Sequence, residues 1–293
     1  MKKKQLSVFL TLLILLCILS TQFKAKNFLL NDGEMSTDYI EIGNDKIFYE
    51  ISGEGPAIIF IHDGLVHSAI WDDQISFFSK THKVIRYDRR GYGNSTAATE
   101  AYSNVEDLNS IFNYFKIENA CLVAMSSGGR LAINFTLKYP EKVNSLVLVG
   151  AVVGGFSYTK HFLTRGGHLS ADLSGQEERR AYYASDDPYE IYSENVSAKE
   201  KVSKLIKDFP HKEGYHYTRS KPALQRLNEI KIATLILVGE FDIPDVHAHA
   251  GAITAGIPNS IRDIIPKAGH LIPIEKPDLF NQRVNNFLNG VNK

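Results

Sequence analysis

Two serines stand side by side in CLVAMSSGGRLAINFTLKYP, residues 121–140, where an apolar run gives way to a helical pattern closed by a proline. A hydroxyl on a sharp strand-to-helix turn can serve as a nucleophile, because the turn exposes its oxygen at the end of the strand. Strand and helix approach so closely there that the residues two before and two after the nucleophile must be small. Ser126 has Ala124 and Gly128 at those places, whereas Ser127 would have Met125 and Gly129, and the methionine would collide. The spacing therefore selects Ser126 as nucleophile and leaves Ser127 to offer its backbone N–H to a developing oxyanion. A competing reading has Ser-Ser-Gly-Gly merely capping the helix, since serine is a favoured N-cap.

A hydroxyl at its ordinary pKa needs a base, usually histidine, and that histidine needs a carboxylate to fix its tautomer. Both follow downstream in order. TLILVGEFDIPD runs from a strand into a turn bearing Asp242, and DIIPKAGHLIPIEKP runs from a strand into a loop bearing His270. Asp245 is the rival acid, but its place after Pro244 marks the start of a helix, where aspartate is a good cap. His247 and His249 lie two apart on that expected helix and point in different directions, so no metal site is expected.

The elements that must position these groups alternate along the chain. Apolar runs at 38–41, 47–51, 57–62, 83–87, 120–124, 145–149, 233–238 and 260–265 read as strands. Amphipathic stretches at 70–79, 105–115, 128–138 and 277–288 read as helices. This is an α/β pattern: a mostly parallel eight-stranded sheet with helices on both faces, opened by an antiparallel hairpin around GNDK at 43–46. The alternation lapses over 151–232, where helical stretches at 198–207 and 223–230 replace strands. That segment reads as a helical cap inserted over the site, dividing a core into residues 26–150 and 233–293, since loops at the carboxyl ends of parallel strands form ligand sites.

With these motifs in hand, the chain resembles the α/β-hydrolase fold superfamily over about residues 37–290, and is similar to its serine-nucleophile branch of esterases, enol-lactonases, carbon–carbon bond hydrolases and haloperoxidase-like enzymes. The matching segments are IIFIHDGLVHSAIWDDQ, VIRYDRRGYGNS, LVAMSSGGRLAINFTLKYPEKVNSLVLVG, TLILVGEFDIPD and KAGHLIPIEKP. The resemblance implies Ser126 as nucleophile, Asp242 as acid, His270 as base, and an oxyanion hole from the amides of Gly64 and Ser127, with His62 shaping the loop. It also implies a fold-stabilising ion pair of Asp88 with Arg90. Asp63 departs from the pattern, replacing a glycine: a carboxylate there repels an oxyanion unless it points away. Serine in place of an aspartate nucleophile disfavours dehalogenase and epoxide-hydrolase chemistry. The expected activity is cofactor-independent hydrolysis of an ester, lactone or related carbonyl; the alternatives are a non-catalytic binding module on the same fold and a haloperoxidase-like perhydrolase.

Composition sets outer bounds. The 293 residues are 44% hydrophobic and 23% charged with no net charge, and no basic run points to nucleic acid. No glycine-rich phosphate loop occurs at a strand–helix junction, so no nucleotide cofactor is expected. Lys2, Lys3 and Lys4 precede the uncharged residues 6–19, the layout of an export signal, short of the roughly 20 apolar residues of a spanning helix. Residues 1–25 are thus expected to direct the chain out of the cytoplasm, either cleaved or kept as a membrane anchor. Neither Ser20 nor Ala25 has a small residue two before it, and Cys17 follows Leu16 rather than a small residue. Cys121 is then the one cysteine left and is expected in the core. His161, His168, His211 and His216 fall in the presumed cap, mostly exposed, with room for one to line a pocket. Asn94, Asn134 and Asn195 begin N-x-S/T triplets that read as chance matches. The partner is a small molecule whose identity the Tyr-rich stretches YYASDDPYEIY and GYHYTRS do not encode.

Overall fold

The computed structural model describes residues 35–164, 174–192, 194–218 and 220–291; the expected export segment at 1–25 and His168 lie outside them. Eight strands, β1 (Ser36–Ile42), β2 (Asp45–Ser52), β3 (Ala57–Ile61), β4 (Lys83–Tyr87), β5 (Ala120–Met125), β6 (Val143–Val149), β7 (Ala233–Gly239) and β8 (Ser260–Ile265), form one sheet in the order β1-β2-β4-β3-β5-β6-β7-β8. β1 and β2 pair antiparallel through a two-residue turn, tighter than the four residues of the sequence reading, because Ile42 already pairs with Asp45. β2 also meets β4 antiparallel, and every pair from β4 to β8 is parallel.

The central strands read as unbroken apolar runs because both faces are covered. In β3, Ile59 and Ile61 enter one core cluster while Ile58 and Phe60 enter the other; in β5, Leu122 and Ala124 are set against Cys121, Val123 and Met125. Helix α1 (Asp72–Phe78) joins the Ile58 side, and α2 (Asn104–Tyr114) and α3 (Ser127–Lys138) join the Ile59 side. Cys121 is buried as expected, and burial pushes its thiol up to about 12, so it behaves as a small apolar residue.

Between β6 and β7 run α4 (Lys160–Thr164), α5 (Ser174–Ser185) and α6 (Val196–Asp208), followed by a short 3-10 turn at Leu224–Glu229. Helix α6 matches the expected stretch, and its Ala198, Val202 and Ile206 share a cluster with α1. The expected helix at 223–230 is only that 3-10 turn. The chain then completes α7 (Pro244–Gly256), α8 (Ile272–Glu275) and α9 (Pro277–Val291). Helix α7 begins where the Pro244–Asp245 pair marks a helix start, although PDVHAHAGAITAG carries no broad apolar stripe.

Candidate active site

Ser126 closes β5 and opens α3 with φ 51° and ψ −116°, a strained backbone for a non-glycine residue. Its amide donates to the Val149 carbonyl at 2.9 Å, fixing the turn against β6. Gly128 shows why small residues are needed: a Cβ there would run into the carbonyls of Ile61 and His62. The helix-cap reading fails at this point, because the Ser126 side chain makes no capping hydrogen bond to α3. The strain falls on Ser126 and not on its neighbour, which is already helical.

Asp242, in the turn after β7, and His270, in the loop after β8, are both buried, and Nδ1 of His270 lies 2.8 Å from Oδ2 of Asp242. The other carboxylate oxygen accepts the Ile243 amide at 2.7 Å, so the acid is held from two sides. Burial opposes charge on His270, but the Asp242 carboxylate, then Glu190, and Asp63 outweigh it and push its pKa up to about 9. The His270 amide donates to the Tyr189 carbonyl at 2.8 Å and that of Leu271 to the Glu190 carbonyl at 3.0 Å, so the segment between β6 and β7 holds this loop. Glu275 braces both, accepting the Gly269 amide at 2.9 Å and the Tyr192 amide at 2.7 Å.

After β3, the His62 ring faces the Asp63 carbonyl at 2.8 Å through Nδ1, while its Nε2 faces the Arg89 amide at 2.9 Å. The amide can only donate, so Nε2 accepts, Nδ1–H donates and the ring is neutral. Burial and the Arg89 charge likewise keep its pKa well below the ordinary value. Asp63 is buried, and burial raises its carboxyl pKa; its Oδ1 accepts the Val66 amide at 3.0 Å. The side chain thus folds onto its own loop, yet it still borders the cavity and acts on His270. Arg89 went unnoticed in the sequence. Its guanidinium donates to the Asp63 carbonyl and to Ser127 Oγ, joining the loop after β3 to the start of α3.

Ser126, Ser127, Gly64, Asp63 and His270 line one cavity of about 610 Å³, and Asp242 supports His270 from outside its wall. Arg130, Arg179, Arg180 and Glu190 also border it, none of them singled out by sequence. Among the described histidines between β6 and β7, His211 is the one that borders it, with its ring 4.7 Å from that of Tyr92. The expected Asp88–Arg90 pair does not form. Arg90 bonds Asp107 at 2.8 Å and pairs with Asp45, whereas Asp88 accepts the amides of Ser68 at 2.9 Å and Asn94 at 2.7 Å. Both therefore stabilise loops, with different partners. Asp245 does not cap α7 but accepts the Thr159 amide and hydroxyl, each at 2.7 Å. His249 is buried with Nδ1 facing the Val153 amide at 3.2 Å, and His247 is only partly covered. Among the described residues no cluster suits a metal ion.

The alpha/beta hydrolase fold profile matches residues 56–195. The carboxylesterase YbfK of Bacillus subtilis is 26% identical over 249 residues, 81% of this chain and 81% of its own. The 2-hydroxy-6-oxononadienedioate/2-hydroxy-6-oxononatrienedioate hydrolase of Comamonas testosteroni is 24% identical over 265 residues, 84% of this chain and 92% of its own. A thermophilic esterase from Thermogutta terrifontis, solved with malate bound, superposes with a TM-score of 0.72 at 20% identity, over 89% of this chain and 100% of that one. At that identity the likeness shows the fold.

Proposed function

We propose, for a chain that belongs to the α/β-hydrolase fold superfamily and is a serine-type, esterase-like hydrolase, that Ser126, His270 and Asp242 are its triad. The observation that carries this reading is a strained Ser126 sharing a cavity with a buried His270 hydrogen-bonded to Asp242. Neutral His270 takes the proton of Ser126 Oγ as that oxygen bonds to the carbonyl carbon of an ester or lactone. The tetrahedral oxyanion is met by the Gly64 and Ser127 amides, which have no acceptor among the described residues. Collapse breaks the carbon–oxygen bond of the leaving group, which leaves with the proton from His270. Water then gives a proton to His270 and its oxygen to the acyl carbon, and Ser126 recovers its proton as the acid departs.

Residues 151–232 act in this reading as a cap over the cavity, and residues 1–25 export the chain, leaving it secreted, periplasmic or anchored. The binding-module alternative is not adopted, because all three triad positions hold competent groups. Perhydrolysis would use the same triad, and no observation favours it. Mature protein and its Ser126→Ala variant should be assayed on short aryl esters and with a fluorophosphonate probe. Turnover and labelling are expected only with Ser126; undiminished turnover by a folded Ser126→Ala protein would overturn the assignment.

A further inference from the structure

Arg130 lies in the first turn of α3, its amide 3.2 Å from the Ser126 carbonyl, and both residues line the same cavity. The side chain is half-buried, and its guanidinium has no hydrogen bond or ion pair among the described residues. A partly desolvated cation without a counter-charge is costly, and the cost is recovered when a ligand brings an anion.

Arg130 borders two cavities. One is the 610 Å³ cavity that holds Ser126 and His270; the other, about 250 Å³, shares Ser127 and Arg130 with it. Among the described residues, Arg89 and Lys221 are the other charged groups in the wall of the smaller cavity, and no aspartate or glutamate lines it. Its neutral polar wall comes from Asn104, Thr218 and Ser220 among others. Arg89 adds a second unfulfilled donor, for its Nε is buried without an acceptor although the same guanidinium bonds Ser127 Oγ. Three cations, no carboxylate and two unengaged guanidinium donors make this chamber complementary to an anion.

We propose that the smaller cavity holds a carboxylate carried by the substrate itself, so that the preferred substrates are esters with an anionic acyl end, such as half-esters of short dicarboxylic acids. This rests on the reading of Ser126 as nucleophile. The planar fork of Arg130 matches a carboxylate in a bidentate pair. The carboxylate stays intact through the reaction; its role is to place the scissile carbonyl over Ser126 and to favour acidic over neutral esters.

The test compares 4-nitrophenyl hydrogen glutarate with neutral 4-nitrophenyl hexanoate in wild type, Arg130→Gln and Arg130→Lys. Wild type is expected to favour the anionic ester in kcat/KM, and Arg130→Gln to lower the anionic-to-neutral ratio at least tenfold, with Arg130→Lys between. In parallel, free glutarate and inorganic phosphate are titrated calorimetrically into Ser126→Ala and into Ser126→Ala/Arg130→Gln. Glutarate binding that disappears with Arg130 supports the site even if Ser126 proves not to be the nucleophile. A wild-type ratio below one, a ratio unmoved by Arg130→Gln, or phosphate binding more tightly than glutarate overturns the proposal.

Discussion

The Arg89 guanidinium donates to Ser127 Oγ at 3.1 Å and to the Asp63 carbonyl, so one side chain from the loop after β4 ties together the two segments that carry the Gly64 and Ser127 amides. Its own amide, bonded to His62 at 2.9 Å, anchors it to the first of those segments. The register of the two proposed oxyanion donors thus depends on a residue that touches no reacting atom.

Replacing Arg89 with methionine should therefore loosen the donors without removing them. Misplacement on the order of 1 Å costs about a hundredfold in rate, so kcat is expected to fall about 10- to 100-fold. KM for a neutral aryl ester should change less than about threefold, because the loss appears mainly in the transition state. Arg89→Lys should recover little, since an ammonium group cannot reproduce the fork. Steady-state kinetics decide it, and a change confined to KM would show that Arg89 does not position these donors.

The charge around His270 sets a pH dependence. In the proposed triad His270 must be neutral to accept the Ser126 proton, and its pKa is pushed from 6.5 up to about 9, so kcat/KM should rise through the alkaline range with a limb near 9. Glu190→Gln removes one of the carboxylates responsible and should move the limb down. The folded-state pKa is raised, so this group's stabilisation is complete below about 6.5 and is lost as pH rises through about 9. Thermal melts should accordingly fall between pH 6 and pH 9.5 by more in wild type than in His270→Gln. A kinetic limb at or below 6.5 would contradict the account.

Gly150, just after β6, has φ 51°, and a Cβ on it would stand 2.8 Å from His270 Nδ1 and 3.1 Å from Asp242 Oδ2. Gly150→Ala should cost about 1–2 kcal/mol of stability from the left-handed backbone alone. Its effect on activity should be larger, about a hundredfold in kcat, because the methyl group pries apart the pair that orients the base. Chemical denaturation and ester turnover measured together test this, and an alanine variant with wild-type turnover would refute it.

The strands, the strained turn at Ser126 and the places of Asp242 and His270 just past strand ends were legible because each depends on local pattern: unbroken apolar runs, small residues at the turn, and a polar group after a strand. Partners set by distant packing were not. Arg90 lies two residues from Asp88, yet it turns to Asp45 and Asp107, which the folded chain brings closer. Arg89, Glu190 and Glu275 act across loops from separate parts of the chain, and spacing gives no trace of such meetings. Arg130 was visible four residues after Ser126, but its lack of a counter-charge among the described residues is a fact of three dimensions. Helix α7 was legible only at its Pro244–Asp245 start, because alanine and glycine leave no apolar stripe to follow along its length.

Asp63 is where the sequence left two outcomes open, and the structure gives part of each. Its Oδ1 turns to the Val66 amide at 3.0 Å, while the carboxyl remains in the cavity wall and contributes to the raised pKa of His270. Asp63→Asn keeps an acceptor for Val66 and removes the charge, so two effects should appear together. The alkaline limb should shift down, and kcat should rise by about two- to tenfold as repulsion of the oxyanion is relieved. Asp63→Gly restores the glycine of the related pattern but gives up the Val66 bond, and should lose about 1 kcal/mol of stability. Paired pH–rate profiles separate the two variants. If Asp63→Asn slows turnover and leaves the limb in place, the carboxylate serves the loop alone and does not act on the site.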